Sequence, residues 1–141
     1  MTTDVGTFFD QFTMLEISDD SLEDVLSASS ADIDILFLWG RDCRNCDVAK
    51  RTILAGPSCF QWPKVRWLHG NVYAEPALGT RFGLHGIPAF IVFSRGRKLG
   101  RISPFPGAEP FIAAINQQIE KFANEIQNGE KYRSTSLACR A

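Results

Sequence analysis

The stretch that most constrains the fold is Ile33 to Trp39, IDILFLW, followed by Gly40 and then by Cys43 and Cys46. A nearly continuous apolar run of this length reads as a strand buried on both faces, the kind found in parallel sheets. After Cys43 the period changes, because Val48, Ala49, Thr52 and Ile53 recur at helical spacing. Cys43 is therefore expected at a strand-to-helix turn, at or near the helix N-terminus. There the unpaired N–H groups and the helix dipole favour a thiolate. Cys46 falls one turn along on the same face, within disulfide reach. The competing reading of such a pair is half of a zinc site, which needs four ligands. The other candidates, Cys59, His69, His85 and Cys139, form no second pair at short ligand spacing. The expected strand–turn–helix context favours redox chemistry, with neither metal nor cofactor.

Composition enters as a set of exclusions. A chain of 141 residues, 45% hydrophobic and 22% charged, suits one globular domain with a substantial core. A formal net charge of −1 gives no reason to expect nucleic acid or an anionic membrane as partner. No apolar run approaches the roughly 20 residues of a membrane helix. The opening MTTDVGTFFDQF carries Asp4 and Asp10 and no basic residue, unlike a signal peptide. Four cysteines without such a signal fit a reducing compartment, so a cytoplasmic location is expected.

Taken in order, the first twelve residues hold Phe8, Phe9 and Phe12, and the pattern leaves a short helix there undecided. Thr13 to Ile17 reads as a first strand. Ser18 or Asp19 then reads as an N-cap for a helix with Leu22, Val25 and Leu26 on its apolar stripe. Ser27 to Asp34 reads as a polar loop. The cysteine helix should stop at Gly56-Pro57, a strong breaker. Val65 to Val72 reads as a strand, Pro76 to Phe82 as a short helix, and Ala89 to Phe93 as another buried strand. Ser94 to Arg97 is a tight turn from which Lys98 to Ser103 returns antiparallel. Ile112, Ile115, Ile119, Phe122 and Ile126 mark an amphipathic helix starting near Ala108. The result is an α/β fold, a single domain over residues 1–127 whose mixed sheet has helices on both faces. A flexible polar tail is expected over 128–141.

This order, with a CxxC pair opening the second helix, resembles thioredoxin over roughly residues 13 to 126. Trp39 and Gly40 precede the pair as tryptophan and alanine do in that family, and Gly86-Ile87-Pro88 stands where thioredoxins carry a cis proline. Phe93, Gly96 and the hairpin follow at the family's distances. The resemblance implies a thioredoxin fold with Ile87 and Pro88 flanking the cysteines, and substrate contacts from the backbone before the proline and from Asp42 and Arg44. It implies thiol–disulfide exchange with protein substrates, and a reductase that recycles the dithiol.

Several positions depart from the family. Asp42 stands before the first cysteine in place of tryptophan, and Arg44-Asn45 replaces Gly-Pro between the cysteines. Phe37 occupies the place of a buried aspartate, His69 that of a neighbouring lysine, and Pro104 that of a glycine in the substrate groove. Gly79 to Gly83 and the stretch from Pro88 through the hairpin also resemble thioredoxin-fold chaperones of hydrogenase maturation, which lack the pair. A non-catalytic adaptor is therefore the alternative reading.

Within the redox reading Cys43 is the nucleophile, being nearer the helix end and, in the family's fold, the more exposed. Cys46 resolves the mixed disulfide and needs a base. Phe37 removes the usual carboxylate, and His69 supports acid–base chemistry only if its side chain reaches the pair. His85 is placed near the site on the surface, Trp39 under the active-site turn. Cys59 and Cys139 read as inert thiols, and Arg95, Arg97, Lys98 and Arg101 as a solvated face.

Overall fold

A computed structural model describes residues 5–127, with the backbone alone for residue 5 and for residues 123–127. After a 3₁₀ turn at Val5–Thr7 come α1 (Phe8–Gln11), β1 (Leu15–Glu16), α2 (Leu22–Ser27), β2 (Ile33–Trp39) and α3 (Arg44–Ala55). A second 3₁₀ turn at Pro57–Phe60 leads to β3 (Val65–Asn71), α4 (Pro76–Arg81), β4 (Ala89–Ser94), β5 (Arg97–Ile102) and α5 (Ala108–Gln127). The strands form one mixed sheet in the order β1-β3-β2-β4-β5. β3 runs parallel to β1 and β2, while β4 is antiparallel to β2 and β5.

The apolar run forms β2 at the centre of this sheet, and Ile33 to Leu38 are all buried. Side chains alternate across a strand, so one run feeds two cores. Ile33, Ile35 and Phe37 join Ala49 and Ile53 of α3, Phe111 and Ile115 of α5, and Phe8 and Phe12 at the N-terminal end. Leu36 and Leu38 join Leu22 and Leu26 of α2 and Leu78 of α4. The helices thus cover both faces, as expected. Gly70 admits the α4 side: a Cβ there would lie 2.6 Å from Leu78 Cδ1.

The structure corrects three local expectations and decides a fourth. β1 spans Leu15–Glu16 rather than Thr13 to Ile17, although the Ile17 N–H still donates to the His69 carbonyl at 2.9 Å. α2 starts at Leu22 and not after Ser18 or Asp19. The Ser18 N–H donates to Ser21 Oγ and the Ser21 N–H to Ser18 Oγ, and this local pairing holds a turn that delays the helix. Asp34 belongs to β2, not to the preceding loop. It faces Arg66 across the β2–β3 register, with Arg66 Nε 2.8 Å from its carboxylate. The undecided N-terminal segment forms α1, which sends Phe8 and Phe12 into the core. Residues 128–141, and with them Cys139, lie outside the described part.

Candidate active site

The site is built where β2 ends. Gly40 lets the chain turn against its neighbours, because a Cβ there would lie 2.8 Å from the Tyr73 ring and 2.9 Å from Ile87 Cδ1. Asp42 takes a left-handed backbone, φ 55°, a conformation that aspartate tolerates better than most residues. This turn presents Cys43 as the N-cap of α3, with extended backbone angles. Its sulfur accepts the Cys46 N–H at 3.1 Å, so a first-turn donor with no partner inside the helix points at the sulfur.

Cys43 and Cys46 are joined by a disulfide, with Cα atoms 5.2 Å apart. Cys43 is partly exposed, whereas Cys46 is fully buried. The Cys43 sulfur lies 3.8 Å from the carbonyl oxygen of Ile87, so the Ile87–Pro88 segment flanks the pair. The Ile87–Pro88 bond is cis, and so is Ser103–Pro104, which the sequence reading did not anticipate. Asp42 and Arg44 are exposed on either side of Cys43. From Ile87 a surface groove of about 640 Å³ runs along Tyr73, Pro76, Thr80, Leu84 and His85. His85 thus sits on the surface beside the site.

The core packed against α3, the helix that the pair opens, is rich in aromatic rings and forms the floor of the site. Phe37 is fully buried, stacked on Phe90 at 5.0 Å and edge-on to Phe8 at 6.3 Å. His69 is buried and stacked on Phe9 at 3.8 Å, and its Nδ1 accepts the Trp39 indole N–H at 3.1 Å. Burial first, and then the nearby Lys50 charge, lower its pKa to about 4. His69 is therefore neutral at neutral pH, and among the described residues no hydrogen bond joins it to either cysteine. Trp39, expected as core packing under the turn, is partly exposed and tied to His69.

Lys50 and Tyr73 were missed by the sequence reading. Lys50 is 6% exposed, and its Nζ lies 4.0 Å from the Trp39 ring centroid and 5.4 Å from that of Phe9. A signal for it existed, since Cys46, Lys50 and Ile53 fall on one helical stripe. For the exposed Tyr73 only the required glycine at position 40 hints at a close neighbour. Cys59 is not the inert thiol expected, because among the described residues no cysteine is free. The basic hairpin residues are exposed as expected. Among the described residues no three His, Cys, Asp or Glu side chains gather at metal-binding distance, and no helix is long and apolar enough to cross a membrane.

No protein-family model and no curated protein matches the chain. Solved thioredoxins do match its structure. Thioredoxin f2 of Chlamydomonas reinhardtii aligns with TM-score 0.62 at 20% identity, covering 74% of this chain and 95% of that one. Mitochondrial thioredoxin 3 of Saccharomyces cerevisiae, in its oxidized form, aligns with TM-score 0.58 at 16% identity, covering 77% and 95%. A mutant thioredoxin from Halobacterium salinarum NRC-1 aligns with TM-score 0.58 at 17% identity, covering 73% and 88%. At these identities the likeness is one of fold. The chain has the thioredoxin fold and carries a CxxC-spaced cysteine pair within it.

Proposed function

We propose that this chain is a thiol–disulfide oxidoreductase that exchanges disulfides with protein substrates through Cys43 and Cys46. The observation that carries the reading is the disulfide at the start of α3, with a partly exposed sulfur at the N-cap and a buried one a turn deeper. In the reduced protein the Cys43 thiolate attacks a substrate disulfide. One substrate sulfur leaves as thiolate, and the other becomes bonded to Cys43. The Cys46 thiolate then attacks the Cys43 sulfur, the Cys43–Cys46 bond forms, and the second substrate sulfur leaves carrying the electron pair. The substrate gains two electrons and the protein loses them, so a reductase must return them. Ile87 and Pro88 offer backbone beside Cys43 for the substrate chain, while Asp42 and Arg44 meet it at the rim. Such a cycle suits a reducing compartment such as the cytoplasm. His69, neutral and occupied by the Trp39 N–H, is a poor base for Cys46 and acts as a packing residue in this reading.

One observation favours an adaptor instead. Phe37 is fully buried and stacked on Phe90, and by the resemblance to thioredoxins it stands where that family carries the carboxylate that accepts the resolving cysteine's proton. Equilibration of the Cys43–Cys46 pair in glutathione buffers, coupled to a protein-disulfide reduction assay, separates the two readings. A reversible disulfide with catalytic turnover supports the oxidoreductase. A pair that never exchanges, in a folded protein, supports the adaptor.

A further inference from the structure

Lys50 is a buried amine on the same stripe of α3 as Cys46, four residues further on. Side chains at that spacing are helix neighbours, with Cβ atoms about 5–6 Å apart. Its Nζ sits against the Trp39 and Phe9 rings rather than in water. An ammonium over an aromatic face is favoured by the ring quadrupole, which opposes the loss of charge that burial favours. The groups around it are few. Asp47 on its own helix favours the charged form, and His69 on β3 is neutral at neutral pH. Phe9 of α1 and Trp39 of β2 carry no charge. Burial lowers the Lys50 pKa and Asp47 partly restores it.

We propose that Lys50, held as a cation between Trp39 and Phe9, is a positioning residue for the resolving step and stabilises the thiolate that Cys46 must form. This rests on the reading of Cys43 and Cys46 as a redox pair. Cys46 loses its proton, which ends on the departing substrate sulfur, and its thiolate attacks the Cys43 sulfur of the mixed disulfide. The Cys43–substrate bond breaks as the Cys43–Cys46 bond forms, and the substrate sulfur departs with the electron pair. Lys50 keeps its proton throughout and acts only through its charge. Floor chemistry in this chain is thus inverted: a buried cation attracting the thiolate stands in for a carboxylate accepting its proton.

The test is an ultraviolet titration of the Cys46 thiolate in the Cys43→Ser protein, with Lys50 intact, Lys50→Met or Lys50→Arg. Near-ultraviolet circular dichroism checks that each variant is folded. Methionine fits an apolar slot of similar volume, and Lys50→Gln serves the same comparison if the methionine variant does not fold. Lys50→Met should raise the Cys46 midpoint by about one pH unit, which is about tenfold less thiolate below that midpoint. Lys50→Arg should restore most of the shift. An unchanged midpoint in the neutral variant overturns the proposal, and so does a folded Lys50→Arg protein that titrates like Lys50→Met. Failure of the redox reading itself would show separately, as a wild-type pair that does not equilibrate with glutathione.

Discussion

The mouth and the floor of the cysteine site differ in kind. At the mouth, Cys43 caps α3, receives the Cys46 N–H and faces the Ile87 carbonyl, an arrangement that needs only backbone donors and a turn. At the floor, Phe37, Phe9, Trp39 and His69 form an aromatic layer into which the Lys50 ammonium projects. In the proposed exchange cycle, attack and release draw on separate parts of the molecule. On that proposal, backbone geometry prepares the attacking thiol whatever lies beneath it, whereas the resolving thiol depends on the charges of the floor. A sequence can therefore keep the first while rewriting the second.

The sharpest division comes from removing one sulfur at a time. Cys46→Ser should trap a stable mixed disulfide through Cys43 with a protein substrate, and Cys43→Ser should trap almost none, as mass mapping of the adduct reads directly. Trapping through Cys46 instead would erase the distinction between mouth and floor.

Phe37→Asp restores a carboxylate to the floor and removes its central ring. Loss of the stacked side chain and burial of an acid together should cost about 3–5 kcal/mol, read as a shift of the urea midpoint. If a missing proton acceptor limits release, the folded fraction should resolve mixed disulfides faster than wild type. Unchanged release in a folded variant would mean that the carboxylate is dispensable here.

His69 makes the floor pH-sensitive. Its folded pKa of about 4 lies below the usual 6.5, so the unfolded chain binds the extra proton between those values. Stability is thus full above about pH 6.5 and falls as pH drops towards 4, by up to about 3 kcal/mol. His69→Phe should flatten this part of the profile, measured by denaturant unfolding across the window. An equally steep loss in the variant would assign the acid sensitivity elsewhere.

The smallest effect belongs to the mouth. Gly40→Ala places a methyl against Tyr73 and the tip of Ile87, both movable side chains, so the cost should be about 1 kcal/mol. Because Ile87 flanks Cys43, exchange should slow more than stability suffers, and Tyr73→Ala should partly restore it. Equal losses in the single and the double variant would show that the contact does not position the mouth.

What was legible in the sequence follows the same division. The apolar run of β2, the breaker at Gly56-Pro57 and the period of α5 are local signals, and they placed the central strand, the flanking helices and the cysteine turn. The Asp34–Arg66 pair was missed because a cross-strand partner 32 residues away leaves no local mark. The delayed start of α2 came from two serine hydroxyls competing for the same turn. Lys50 was missed for a physical reason, since a lysine on an apolar stripe is ordinarily assumed to reach solvent, and here two rings hold its ammonium instead.

The most direct measurement of the central claim is the alkylation rate of each cysteine against pH, followed by peptide mapping in Cys43→Ser and Cys46→Ser proteins. Partial exposure and the helix N-terminus should make Cys43 the faster thiol throughout about pH 5 to 9, with the lower apparent midpoint. A Cys46 that reacts faster than Cys43 over that range would contradict the assignment of attack to the mouth and release to the floor.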